Sequence, residues 1–153
     1  MLAKIAVESV SWCPKNTTPI RLVRFLGTTP DSSSIGPLLR SVCQQISFLY
    51  QITDTNIPVE LSQLTIHFKR LLEKTPNDKP LCIFFDSLDQ LSSADGAHSM
   101  SWLPPTLPNH VKLVTKSRLI FLTFLIQFNS SRLGCINSTR NIQYFEYITK
   151  YYR

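Results

Sequence analysis

The sequence predicts an α/β domain built on a parallel sheet. Segments of helical periodicity alternate with short apolar runs, the pattern of βαβ units. The run Leu81-Cys82-Ile83-Phe84-Phe85 is continuously apolar, as a strand covered on both faces must be. It stops abruptly at Asp86, and Asp89 follows three positions later. Ligands of open α/β sheets bind beyond the carboxyl ends of the strands. A carboxylate delivered there is placed to hold a hydrated magnesium ion against a triphosphate.

Taken in order, residues 2–11 read as the body of a helix, with Leu2, Ile5, Ala6 and Val10 spaced for one face. No Ser, Thr or Asp cap precedes it, and a helix that begins in mid-pattern is expected to be a truncated one. Cys13 to Pro19 is a polar loop with two prolines, and Ile20 to Leu26 is rich in β-branched and aromatic residues, as strands are. Gly27 to Ser34 is a turn cluster ending in residues that cap helices well. Leu38, Leu39, Val42, Ile46 and Leu49 then mark an amphipathic helix from Ile35 to about Gln51. A second helix is expected from Val59 to Lys74, with Leu61, Leu64, Phe68, Leu71 and Leu72 on one face. The acidic strand 81–86 comes next, then a loop over Ser92 to His110, then a short strand from Val111 to Thr115. Composition changes after Arg118. All ten prolines precede it, while the last 35 residues carry eight of the sixteen aromatics and a single acid, Glu146. Two segments are expected on that basis: a domain over 1–118 and a divergent aromatic, basic tail over 119–153, in which Leu119 to Phe128 forms a strand or short helix.

Several function classes find no support. The net charge is +6, yet Arg21, Arg24, Arg40, Lys69, Arg70, Lys112 and Arg118 form no stripe of the kind nucleic-acid binding needs. Cys13, Cys43, Cys82 and Cys135 lie at least thirty positions apart, and His67, His98 and His110 are equally isolated, so no zinc-ligand spacing occurs. There is no Ser/His/Asp or Cys/His set at motif spacing and no dinucleotide fingerprint. Lys4 and Glu8 interrupt any signal-peptide core. The most apolar run, Leu119 to Ile126, is far shorter than the roughly 20 residues of a membrane span. A cytoplasmic location is expected.

Asp86 and Asp89 therefore carry the functional signal. In a Walker B arrangement the first acid holds the magnesium ion through water, and a second polarises the attacking water. The alternative is a purely local role, in which the two acids cap the turn from Ser87 to Leu91.

The context of these acids is specific. The runs RFLGTTPDSSSIGPLLRSVCQQI (24–46), PVELSQLTIHFKRLLEK (58–74), LCIFFDSLDQL (81–91) and SWLPPTLPNHVKLV (101–114) resemble segments of the NACHT and WD-repeat proteins. Those proteins belong to the STAND class of P-loop NTPases, and their NACHT module is a nucleotide switch that controls oligomerisation. The resemblance covers about residues 1–115. It implies a three-layer P-loop NTPase sandwich, Mg2+ and ATP as cofactors, Asp86 as the metal-holding Walker B acid and Asp89 as the catalytic second acid. Ser87 occupies a place that is often Gly in NACHT sequences, and Gln90 stands where many carry another acid. Strand 111–115 resembles the sensor strand that ends near the γ-phosphate. Arg118, after Lys116 and Ser117, falls close to a Thr-Ser-Arg ending and is implied to touch the nucleotide phosphate.

One part of the family's site has no counterpart. The four glycines are Gly27, Gly36, Gly96 and Gly134; none is followed by Lys, so the Walker A loop GxxxxGK[ST] does not occur in the 153 residues. Against the family's sheet order, 5-1-4-3-2, the chain would supply strands 2, 3 and 4 as neighbours. Its first strand and phosphate loop are expected to be missing, and Leu119 to Leu125 is expected to cover the edge left open. Charge-assisted hydrogen bonds contribute about 1.5–3 kcal/mol each, so without that loop tight ATP binding and hydrolysis by this chain alone are not expected. Three readings stay open: a fragment of a NACHT-type switch, an interaction module binding a second copy or a full-length relative, and an alternative gene product without autonomous function.

Overall fold

The computed structural model describes residues 17–53 and 56–116, the single residues Ala6, Val7, Ser9 and Cys13, and the backbone of 123–126. Three strands, β1 (Ile20–Phe25), β2 (Leu81–Asp86) and β3 (Val111–Lys116), lie side by side in that order and run parallel. Their register is flush, with Ile20 beside Leu81 and Leu81 beside Val111. The α/β class and the neighbouring of these three strands agree with the sequence reading. A fourth strand, β4 (Thr123–Ile126), runs antiparallel along the other edge of β3, Lys116 opposite Thr123. The edge expected to be covered from 119–125 is thus paired by 123–126. The boundary expected at 118 falls outside the described residues.

Two helices cover one face of the sheet. In α1 (Ile35–Tyr50) the buried positions are Ile35, Leu38, Leu39, Val42, Cys43 and Ile46, and in α2 (Leu61–Glu73) they are Leu64, Phe68, Leu71 and Leu72. Both sets follow the three-and-four spacing that puts side chains on one stripe. The stripes pack with Leu81, Ile83 and Phe85 of β2 and Leu113 of β3. Trp102 closes this core, its ring 5.9 Å from that of Phe85 and its indole N–H donating to the Ala97 carbonyl at 2.9 Å. Each such side chain, fully buried, contributes about 1.5–3 kcal/mol, which makes this face the main source of stability. Strand alternation sends Cys82, Phe84 and Val114 to the opposite face, where they meet Ala6 and Cys13. Of the helix expected over 2–11, Ala6 and Val7 are helical; most of it lies outside the described residues.

The helix starts differ from expectation in an instructive way. α2 begins two residues later than its periodicity predicts, because the Glu60 carboxylate accepts from the backbone N–H groups of Ser62 and Gln63, each at 3.0 Å. An acidic side chain there satisfies orphan donors and complements the helix dipole. Ser34 does precede α1 in extended conformation, but its hydroxyl makes no capping hydrogen bond. Among the described residues no helix is long and apolar enough to cross a membrane.

Candidate site at the acidic strand end

The parallel register brings the carboxyl ends of the strands to one rim. Asp86 is the last residue of the central strand and lies beside Phe25 of β1. On its other side Phe85 pairs with Thr115, so that Lys116 ends β3 next to Asp86. Two loops build the wall. Gly27 and its neighbours leave β1, the Leu26 N–H donates to the Asp86 carbonyl at 3.0 Å, and the Ser92 N–H donates to the Ser33 carbonyl at 2.7 Å. The turn after β2 is held tightly against that first loop.

The backbone reverses at Ser87, which has φ 66° and ψ 51°. This left-handed conformation favours glycine. A one-turn 3-10 segment, Leu88–Gln90, follows, with Leu88 buried and Asp89 half-exposed. The Ser87 side chain makes no capping hydrogen bond to this turn. The Gln90 amide donates to Asp89 Oδ2 at 2.9 Å.

Asp86 is only 17% exposed, and its Oδ1 is buried without a hydrogen-bond partner. A carboxylate oxygen removed from water without a donor is costly unless a cation stands nearby. One does: the Lys116 ammonium lies 3.6 Å from Asp86 Oδ1. Lower on the same face burial dominates the titrating groups. Desolvation pulls the Lys112 ammonium below its ordinary range, and it pushes the Cys82 thiol up to about 12.

The sequence-predicted residues are therefore distributed unevenly. Asp86 and Asp89 stand on the same strand end and the turn after it, whereas Arg118 lies outside the described residues. The residue that composition did not single out is Lys116. Its signal is a basic residue at the end of an apolar strand adjacent to an acidic one, and it becomes readable only once the register is known. For magnesium the fit is incomplete. A nucleotide-bound ion takes one or two carboxylates and draws its other ligands from phosphates and water. Here Asp86 Oδ1 already faces an ammonium, and among the described residues no three His, Cys, Asp or Glu side chains converge. The rim suits a cation but is not a free-standing divalent site. A groove of about 330 Å³ between Lys69, Leu72 and Glu73 of α2 and the segment Pro104–Pro108 includes neither acid.

No family model matches the chain, and no solved structure matches it. Among curated proteins, "NACHT and WD repeat domain-containing protein 2" of Homo sapiens is 38% identical over 118 residues, or 74% of this chain. The Mus musculus protein of the same name is 36% identical over 118 residues. "NACHT domain- and WD repeat-containing protein 1" of Homo sapiens is 29% identical over 104 residues, or 62% of this chain. The chain spans only 6–7% of the length of these relatives. By this similarity the chain belongs to the family of NACHT and WD-repeat domain-containing proteins.

Proposed function

We propose that the chain carries the acidic, Walker B strand of a STAND-type nucleotide switch and is not competent to hydrolyse ATP by itself. In this reading Asp86 is the cation-facing carboxylate, Asp89 the second acid and Arg118 a phosphate contact. Mg2+ and ATP are the cofactors of the complete module, which acts in cytoplasmic signal transduction. A second copy or a full-length relative is the partner. The observation that carries the reading is the position of Asp86. It ends the central strand of the three parallel ones, with a buried oxygen that no hydrogen bond satisfies. That is the rim where α/β sheets bind ligands.

The chain supplies orientation rather than chemistry. β2 fixes Asp86, and the left-handed turn at Ser87 directs Asp89 onto the next segment. A bound magnesium ion would add neutralisation of phosphate charge. The GxxxxGK[ST] loop, whose lysine and nest of backbone N–H groups hold phosphates, does not occur in the 153 residues. Calorimetric titration of ATP with magnesium into the folded chain tests this. Affinity no tighter than about millimolar is expected, given the several kcal/mol those groups contribute. Micromolar, magnesium-dependent binding would contradict it.

A further inference from the structure

We propose that Lys116 is a built-in counter-ion of Asp86. Its ammonium is tethered at the charge position a divalent ion would take, so the acidic strand end of this chain is charge-satisfied without metal. The inference rests on the cation-facing role assigned to Asp86 above, and it changes what that role means here.

Three observations support it. The inner oxygen of Asp86 is out of water and accepts no hydrogen bond, so its charge must be balanced by proximity to a cation. Lys116 is at ion-pair distance, 3.6 Å, and both side chains are less than a third exposed, which limits solvent screening. Among the described residues the other cations on the strands of this face stand at a distance: Lys112 and Arg21 flank Cys82, four residues and roughly 13 Å before Asp86 along the strand. The lysine is also anchored from both sides. Thr115, its neighbour in sequence, pairs with Phe85, and Lys116 itself lies opposite Thr123. Displacing the ammonium thus means moving a side chain whose backbone is fixed in the sheet. At 3.6 Å the contact is longer than the 2.7–2.9 Å of a charge-assisted hydrogen bond. It is an ion pair and not a locked hydrogen bond, and a divalent ion approaching the same oxygen meets a positive charge already in place.

The test is a double-mutant cycle in the full chain, read by urea unfolding, combined with a metal probe. Lys116→Met should raise the unfolded-to-folded ratio about tenfold by leaving the carboxylate unpaired. In the Asp86→Asn background the same change should matter less than about threefold. Lys116→Arg should behave like the parent. Manganese ion alone, added while amide resonances of Ser87 and Leu88 are followed by NMR, should broaden them in Lys116→Met at less than a tenth of the concentration needed in the parent. Additive effects in the cycle would overturn the inference, as would manganese broadening that sets in at the same concentration in parent and Lys116→Met. Coupling in the cycle with no manganese response in either protein would uphold the counter-ion and remove Asp86 from the magnesium-binding role.

Discussion

A methyl group placed on Gly27 would lie 2.4 Å from the Cβ of Gln90, closer than two carbon atoms can stand without bonding. The loop leaving β1 and the turn leaving β2 therefore touch backbone to side-chain root, and Gly27 has φ +74° besides. Gly27→Ala should destabilise the fold by about 2–3 kcal/mol, combining overpacking with left-handed strain. Gln90→Ala should not rescue it, because alanine keeps the colliding Cβ, whereas Gln90→Gly should recover part of the loss. Urea unfolding of the four proteins checks the order.

Ser87 sits at φ 66° immediately after the acidic strand. A left-handed residue with a side chain costs about 1–2 kcal/mol, and glycine avoids that while losing more chain entropy on folding. Ser87→Gly is expected to stabilise the chain by about 0.5–1 kcal/mol, and Ser87→Val to destabilise it by more than about 1 kcal/mol. Thermal midpoints that fall for both substitutions would show that the serine hydroxyl, not the backbone, governs this turn.

Burial pushes the thiols of Cys43 and Cys82 up to about 12, in Cys43 against a smaller opposing pull from Arg40. The folded protein then holds these protons where the unfolded chain, near 9, releases them. Stability should be full below pH 9 and fall as pH rises from there to about 12; Cys43→Ala with Cys82→Ala should flatten that decline. Iodoacetamide at pH 8 should spare both residues in the native protein and label them in urea, as mapped by mass spectrometry.

His110 gives the opposite sign. Its Nε2 lies 2.8 Å from the Thr75 hydroxyl, which itself donates to the Leu72 carbonyl at 2.7 Å, so the imidazole Nε2–H donates. Its Nδ1 is buried without a partner, leaving an added proton nothing to bind. Burial lowers this pKa, against a smaller raising effect of a hydrogen bond with the Thr75 backbone. The unfolded state then takes up the proton first as pH falls below about 6.5. Stability should decrease from pH 7 toward pH 5, and His110→Gln, which keeps a donor and cannot titrate, should reduce that slope. An unchanged slope would assign the acid sensitivity elsewhere.

The three parallel strands were legible because each is a continuous apolar run, and the helices because their stripes keep a strict three-and-four spacing. The acidic strand end was legible for the same reason: Asp86 breaks a run of five apolar residues. What periodicity does not encode was missed. The start of α2 depends on an acidic cap at Glu60, outside the usual Ser, Thr, Asp and Asn set. The hydroxyl of Ser34, in the right place by composition, bonds to no helix N–H. Lys116 gains its meaning only from a register linking strands 30 residues apart. Read along the chain, it was one of three polar residues before a change in composition.

The most direct test joins a phosphate-binding loop to the acidic strand end. A chimera carrying a relative's first strand and GxxxxGK[ST] loop ahead of Met1, with Lys116→Met to clear the counter-ion, would be titrated with ATP in the presence of magnesium. Micromolar, magnesium-dependent affinity that Asp86→Asn weakens at least about tenfold is the expected result, since that carboxylate would then face the metal. Tight nucleotide binding indifferent to Asp86→Asn would contradict the account.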